Sequence, residues 1–209
     1  MLEVPCNVSS EMAGHVLRGN DQPASRGAGP LLQRDYWAVI SNCGTAPKDL
    51  MRLVRKEFGR LAPESLVEFT RSANAKELLQ EDEVLEVKIR MGPTVRVRVA
   101  DVCENSFTIV TQDGHPEAGR ITFGFYRNDR GDVIFHIRSR ARSKSRLHYA
   151  GFLVAGDPMQ TNTWVDLIDR LSHTVGDGVV GSINAHKCEV REEHDDAIGE
   201  HPTFIARSE

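Results

Sequence analysis

Hydrophobic residues recur at every second position between residues 82 and 140, which is the period of strands that bury one face. Runs rich in glycine, asparagine, aspartate and proline interrupt this pattern and predict tight turns. We therefore predict five short strands that pair as an antiparallel meander with one apolar and one polar face. The apolar positions are Leu85, Val87, Ile89, Met91, Val95, Val97, Val99, the run 106–112, Ile121, Phe123, Phe125, Val133, Phe135 and Ile137.

The residues before the meander predict a strand and then helix. The aromatic and β-branched run 35–41 is typical of a strand. Apolar residues then follow at intervals of three and four from Leu50 to Leu61, which predicts a helix with one buried face and Thr45 as its N-cap. We also predict a second, short helix within residues 63–80.

A longer amphipathic helix is predicted after the meander. It begins at Asp157 and Pro158, an N-cap followed by a proline in the first turn, and ends at Gly176. Its broad apolar stripe contains Met159, Thr163, Trp164, Leu167, Ile168, Leu171 and Val175. This order of elements favours the α+β class over alternating βαβ units. We expect a curved antiparallel sheet of about six or seven strands to wrap around this last helix.

Composition divides the chain into three predicted regions. Residues 1–33 are rich in glycine, serine, proline and asparagine and are expected to form a loosely ordered N-terminal segment. Residues 34–178 contain the folded domain. Residues 179–209 are charged and mostly aperiodic, and we expect a C-terminal extension that includes one more strand over VVGSIN.

Charge and cysteine content exclude several functional classes. The net charge of -4 provides no global field for nucleic acid or an anionic membrane. We find no signal peptide, no transmembrane segment, and no P-loop, GxSxG or dinucleotide-binding fingerprint, so a cytoplasmic protein with reduced thiols is expected. The cysteines are far apart and form no CxxC pair, which gives no zinc-finger or redox motif: Cys6, Cys43, Cys103 and Cys188.

One segment of the chain, residues 106–143, resembles a known family. Its sequence is SFTIVTQDGHPEAGRITFGFYRNDRGDVIFHIRSRARS. The segment is similar to the family of unknown function nineteen-ninety in four successive features. These are a strand, the turn from Gly114 to Gly119, a strand that contains phenylalanine, and a Ser/Arg-rich end. LLQEDEVLEV upstream resembles the family's lead-in, and the similarity covers roughly residues 36–175. The resemblance implies a START-like helix-grip fold, as in birch-pollen-allergen-like proteins, with an apolar cavity between sheet and C-terminal helix. No established activity accompanies it.

The resemblance makes a small hydrophobic ligand the first functional expectation. The large apolar side chains at inward positions would line such a cavity. The predicted ligand-binding residues are Met91, Phe107, Phe123, Phe125, Phe135, Met159 and Trp164.

An enzyme of hydrolase or cyclase type is the second hypothesis. His115 and Glu117 would act as a general base and its orienting partner at the cavity mouth. The alternative for this turn is structural, since Gly114 and Gly119 supply unusual backbone conformations and Pro116 stiffens the connection. His136 lines the cavity if both sheet faces are covered, but strand alternation favours a solvated face.

A basic strand provides the third hypothesis. Even spacing would place its five basic residues on one face, where they would bind a polyanion, an acidic partner or a second copy of the chain. The alternatives are a solvated face or a charged edge strand, and the lack of interleaved aromatic residues gives no strong nucleic-acid signal. We predict no cofactor and no metal, because the spacing of His186, Cys188, His194 and His201 matches no ligand template. The basic residues are Arg138, Arg140, Arg142, Lys144 and Arg146.

Overall fold

A computed structural model describes residues 2–3, 17–90, 92–144, 157–190 and 205–206. Within these residues, eight antiparallel strands form one sheet and two α-helices accompany it. The elements in chain order are β1 (Leu2–Glu3), β2 (Ala28–Ile40), α1 (Pro47–Leu61), β3 (Val67–Thr70), β4 (Val84–Ile89), β5 (Thr94–Val102), β6 (Ser106–Thr111), β7 (Glu117–Arg127), β8 (Val133–Ser143), α2 (Asp157–Val175), β9 (Val179–Val190) and β10 (Ile205–Ala206).

The predicted α+β class is confirmed. The sheet order is β3-β4-β5-β6-β7-β8-β2-β9, so the meander runs unbroken from β3 to β8. Strand β2 then pairs with both β8 and β9. A separate two-stranded pairing joins β1 to β10. The sheet contains one strand more than the upper expectation because β3 was not expected. Strand β9, which begins with the predicted VVGSIN strand, forms the opposite edge.

Two local predictions are wrong. The residues expected to form a short helix within 63–80 instead contain β3, in which Phe69 pairs with Val87 of β4. The alternation of half-buried and exposed positions in this strand outweighs the weak helical spacing around it. Helix α1 has Ala46, not Thr45, at its N-cap, and no side chain caps it there.

Strand pairing crosses both boundaries of the predicted three-region division. Strand β2 begins at residue 28, inside the expected N-terminal segment. The first part of the expected C-terminal extension is β9, which pairs with β2 from Leu31 to Ile40. The division itself remains a prediction.

Both helices pack against the same face of the sheet, called here the inner face. The ring of Phe58 in α1 lies 5.3 Å from that of Phe107 and 5.1 Å from that of Phe123. The ring of Trp164 in α2 lies 5.5 Å from that of Phe123. These aromatic residues belong to one core cluster that includes Leu50, Met51, Val54, Leu167, Ile168 and Leu171 from the two helices. Burial of apolar surface in this cluster is the main force holding the helices to the sheet.

Candidate functional site

The inner face of β7 and β8 changes from polar to aromatic along the strands. Residues directly opposite one another in an antiparallel pair point to the same face, so the register defines this surface. From the polar end onward, the pairs are Glu117–Ser143, Gly119–Ala141, Ile121–Ser139, Phe123–Ile137 and Phe125–Phe135. The start of α2 lies over the polar end, because Gln160 contacts Glu117 there.

An ion pair is buried at the polar end. The Nη1 of Arg34 lies 3.5 Å from Oε1 of Glu117, and the two residues are only 1% and 8% exposed. Gln160 donates from Nε2 to the other carboxylate oxygen of Glu117 at 3.0 Å. Arg34 is opposite Ser139 in the pairing of β2 with β8. We call Arg34, Glu117, Ser139, Ser143 and Gln160 the inner polar cluster.

Four buried polar atoms near this cluster have no hydrogen-bond partner among the described residues. They are the hydroxyls of Ser139 and Ser143, Oε1 of Gln160 and Nε1 of Trp164. A buried polar atom without a partner costs roughly 1–3 kcal/mol, so such atoms in a folded protein need an explanation. Gln160 and Trp164 are one helical turn apart on α2, which places their unsatisfied atoms on one side of the helix.

In the turn that carries His115, backbone groups form hydrogen bonds with the His115 ring and with the side chain of Gln22. The imidazole Nδ1 lies 3.0 Å from both the backbone nitrogen and the backbone oxygen of Glu117. Gln22 donates to the backbone oxygens of His115 and Glu117 at 3.0 and 2.8 Å. Burial lowers the pKa of His115 to about 4, so its ring is neutral at pH 7.

His115 and Glu117 are therefore adjacent, but not as the predicted base and orienting partner. His115 contacts the backbone of Glu117, whereas the Glu117 carboxylate contacts Arg34 and Gln160. Gly119, which ends the turn, has a φ of +156°, and a Cβ there would lie 2.2 Å from the backbone oxygen of Arg140. The glycine is thus required by the close approach of β7 to β8.

His136 lies on the opposite, outer face of the sheet in a second buried cluster. Its Nε2 donates to Oδ1 of Asp35 at 2.8 Å, and Arg138 donates from Nε to the same oxygen at 2.6 Å. The hydroxyl of Tyr126 lies 3.4 Å from Nδ1 of His136. We call Asp35, Tyr126, His136 and Arg138 the outer polar cluster. The expectation of a solvated face is wrong here, because His136 is 1% exposed.

The pKa values of the outer polar cluster follow from burial and charge. Burial by itself raises the pKa of Asp35, but the hydrogen bond from His136 and the charge of Arg138 outweigh it and lower this pKa to about 2. Burial lowers the pKa of His136 and raises that of Tyr126. Asp35 is thus ionised at neutral pH, and His136 and Tyr126 are uncharged. The sheet itself separates this cluster from the inner polar cluster.

The predicted ligand-binding residues that the structure describes are buried, and all lie on the inner face except Trp164, which lies on α2 against it. Phe107 stacks on Phe123 at 4.8 Å, and Phe125 lies 4.5 Å from Phe135. Trp164 contacts Phe123 from the helix side. Met91 lies outside the described residues, and the side chain of Met159 is likewise outside them. Their role in binding remains a prediction.

The predicted basic strand is β8, and its arginines face the outer side. Arg138 is buried against Asp35, as described above. Arg140 donates from Nε to Gln33 at 2.8 Å, and Arg142 donates to the backbone oxygen of Gly29. Lys144 is exposed, and Arg146 lies outside the described residues. Hydrogen bonding within the fold thus engages these three arginines.

Sequence reasoning missed Arg34, Gln22 and Gln160. A signal for Arg34 was present, because it falls between Leu32 and Tyr36 at the even positions that continue as Ala38 and Ile40. A charged residue at an inward position indicates a buried pair. Gln22 and Gln160 carry no comparable pattern.

Two further classes of site receive no support in the described part of the chain. It contains no group of three or more histidine, cysteine, aspartate or glutamate residues placed to hold a metal ion. Neither described helix is long and apolar enough to cross a membrane.

A family model supplies the classification of the chain. The model described as "Domain of unknown function (DUF1990)" matches residues 60–167. The chain belongs to this family. The match includes the Gly114–Gly119 turn and confirms the resemblance predicted from it. No curated protein matches the chain.

Solved structures similar to this DUF1990 chain share little sequence with it. A conserved protein from Geobacillus kaustophilus has 10% identity and a TM-score of 0.48, over 74% of this chain and 99% of that chain. Truncated norcoclaurine synthase from Thalictrum flavum has 9% identity and a TM-score of 0.47, over 71% and 96%. Major latex-like protein 151 from Panax ginseng has 11% identity and a TM-score of 0.46, over 70% and 99%. These likenesses carry no argument about ligand or activity.

Proposed function

We propose that this DUF1990 chain binds a small, mainly apolar molecule between the inner face of the sheet and α2. The supporting observation is the set of four buried polar atoms that have no hydrogen-bond partner among the described residues. Two of them lie beside aromatic side chains. Trp164 contacts Phe123, and Ser139 is two residues from Ile137, the strand partner of Phe123. A molecule with an apolar body and a polar end would bury its body against the rings and satisfy the polar atoms.

The position of these atoms favours a ligand over a purely structural explanation. Ser139 is 2% exposed and lies opposite Ile121, at the boundary between the polar and aromatic parts of the inner face. Serine in a buried strand position usually hydrogen-bonds to a neighbour. An alanine there would avoid the desolvation cost at nearly the same volume, so an unsatisfied hydroxyl suggests a partner that is a separate molecule.

The test uses Nile red, an uncharged dye whose emission rises in an apolar site. We expect saturable binding with one dye per chain. Ser139→Val adds bulk and removes the hydroxyl on the inner face, and should weaken binding at least tenfold. Ser106→Val is the matched control, because Ser106 is also buried but pairs with Gly124 on the outer face. Absence of saturable binding, or equal weakening by both variants, would contradict the proposal.

No observation in the described residues favours the two alternatives over ligand binding. The enzyme hypothesis required His115 to act with the Glu117 carboxylate, and these groups contact different partners. The polyanion hypothesis placed five basic residues on one face, and Arg138 among them is engaged by Asp35. Catalysis, polyanion binding, a homodimer and a cytoplasmic location remain predictions from the sequence.

A further inference from the structure

We infer that the ligand is an uncharged molecule whose polar end is a hydroxyl group, and that this hydroxyl binds among Ser139, Gln160 and Trp164. The inference rests on the proposed function and specifies the chemical class of its ligand. It follows from the donor and acceptor character of the unsatisfied atoms and from the charge balance around them.

To bind all of the unsatisfied atoms, a ligand group must both donate and accept hydrogen bonds. The indole Nε1 of Trp164 can only donate, and Oε1 of Gln160 can only accept. The Ser139 hydroxyl can do either. A carboxylate or a carbonyl only accepts and an ammonium group only donates, so each would leave one of the two helix atoms unsatisfied. A hydroxyl satisfies both.

Charge balance disfavours an ionised ligand. The two described charges in the inner polar cluster, on Arg34 and Glu117, already pair with one another at 3.5 Å and are buried. An anion would be placed near the Glu117 carboxylate, and a cation near the Arg34 guanidinium. In either case the pair holds no spare counter-charge, so the ion would carry the cost of desolvation without full compensation.

The arrangement also orients the ligand. Gln160 is anchored to Glu117 at the polar end, while Trp164, one turn later, contacts Phe123. The hydroxyl of the ligand would thus lie at the Ser139–Ile121 pair, with its apolar body directed along β7 toward Phe123.

The test compares three probes with the same aromatic body: naphthylmethanol, naphthoate and ethylnaphthalene. Affinities are measured by isothermal titration calorimetry with the full chain. We expect naphthylmethanol to bind at least tenfold more tightly than either of the others. Heteronuclear NMR should show the Trp164 indole N–H resonance move on binding, while that of Trp37, which faces the outer side opposite His136, stays in place.

Variants separate hydrogen bonding from packing. Ser139→Ala should weaken naphthylmethanol at least threefold and leave ethylnaphthalene unchanged, and Ser106→Ala should change neither. Trp164→Phe should weaken naphthylmethanol more than ethylnaphthalene, because it removes the indole N–H as well as part of the ring. Naphthoate or ethylnaphthalene binding as tightly as the alcohol would overturn this inference and leave the proposed function intact. Failure of all three probes to bind would overturn the proposed function, and this inference with it.

Discussion

Acidification should weaken the fold through His115. The pKa of this residue is about 4 in the folded chain because burial disfavours the charged ring, against an ordinary value of 6.5. The folded pKa lies below the unfolded one, so the unfolded chain binds more protons in this range. The contribution of His115 to stability is complete above pH 6.5 and is lost as the pH falls toward 4.

The magnitude follows from the size of this shift. One pKa unit corresponds to about 1.4 kcal/mol, so the full shift corresponds to roughly 3 kcal/mol. Between pH 7 and pH 5, the same relation gives a loss of about 2 kcal/mol in the free energy of unfolding. Partial exposure of His115 makes these values upper limits.

Urea unfolding of wild type and His115→Asn at the two pH values provides the assay. Between pH 7 and pH 5, the free energy of unfolding of the variant should fall by about 2 kcal/mol less than that of wild type. His136 also titrates with a lowered pKa, but it is present in both proteins and cancels. His173→Asn, at an exposed site on α2, is the control for the replacement of a histidine by asparagine. An unchanged pH dependence in His115→Asn, or an NMR-measured pKa of His115 near 6.5, would refute the reasoning.

Three further predictions concern the two polar clusters and the turn. Arg34→Met and Glu117→Gln should each lower the free energy of unfolding by roughly 3–5 kcal/mol. In a double-mutant cycle, the loss of stability in the double variant should be clearly less than the sum of the two single losses. Additive losses would refute the coupling between the two residues. Asp35→Asn should lower the free energy of unfolding by roughly 3 kcal/mol at pH 7. Because the folded pKa of Asp35 lies below its ordinary value, the difference in stability from wild type should shrink as the pH falls from 4 toward 2. A difference that persists at pH 2 would contradict the assignment. Gly119→Ala should lower the stability measured by thermal unfolding by at least about 2 kcal/mol. Gly44→Ala should be nearly neutral, because a Cβ at Gly44 meets nothing within 4 Å. Equal effects of the two substitutions would refute the close approach of β7 to β8.

Most of the fold could be predicted because its signals are local. The alternation from Leu85 to Ile137 specified the strands of the meander, and Asp157, Pro158 and Gly176 marked the limits of α2. Strand β3 was missed because it is only four residues long and lies among polar residues. A short segment of this kind becomes a strand through pairing with β4, which is not encoded locally.

The candidate site could be predicted only in part. The sequence indicated Glu117 and the aromatic residues of the inner face, but not the partner of Glu117. The contact with Arg34 depends on the register of β2, β8 and β7, which brings together residues 83 positions apart. The burial of His136 was missed because alternation cannot show whether the second face of a strand is covered.

The central claim is that a small molecule binds between the inner face and α2. Native mass spectrometry of the protein purified from its source tests this claim most directly. We predict a noncovalent adduct of one small uncharged molecule, released on denaturation and absent from Ser139→Val prepared in the same way. Wild-type protein that carries only its own mass, or an adduct retained by Ser139→Val, would contradict the account.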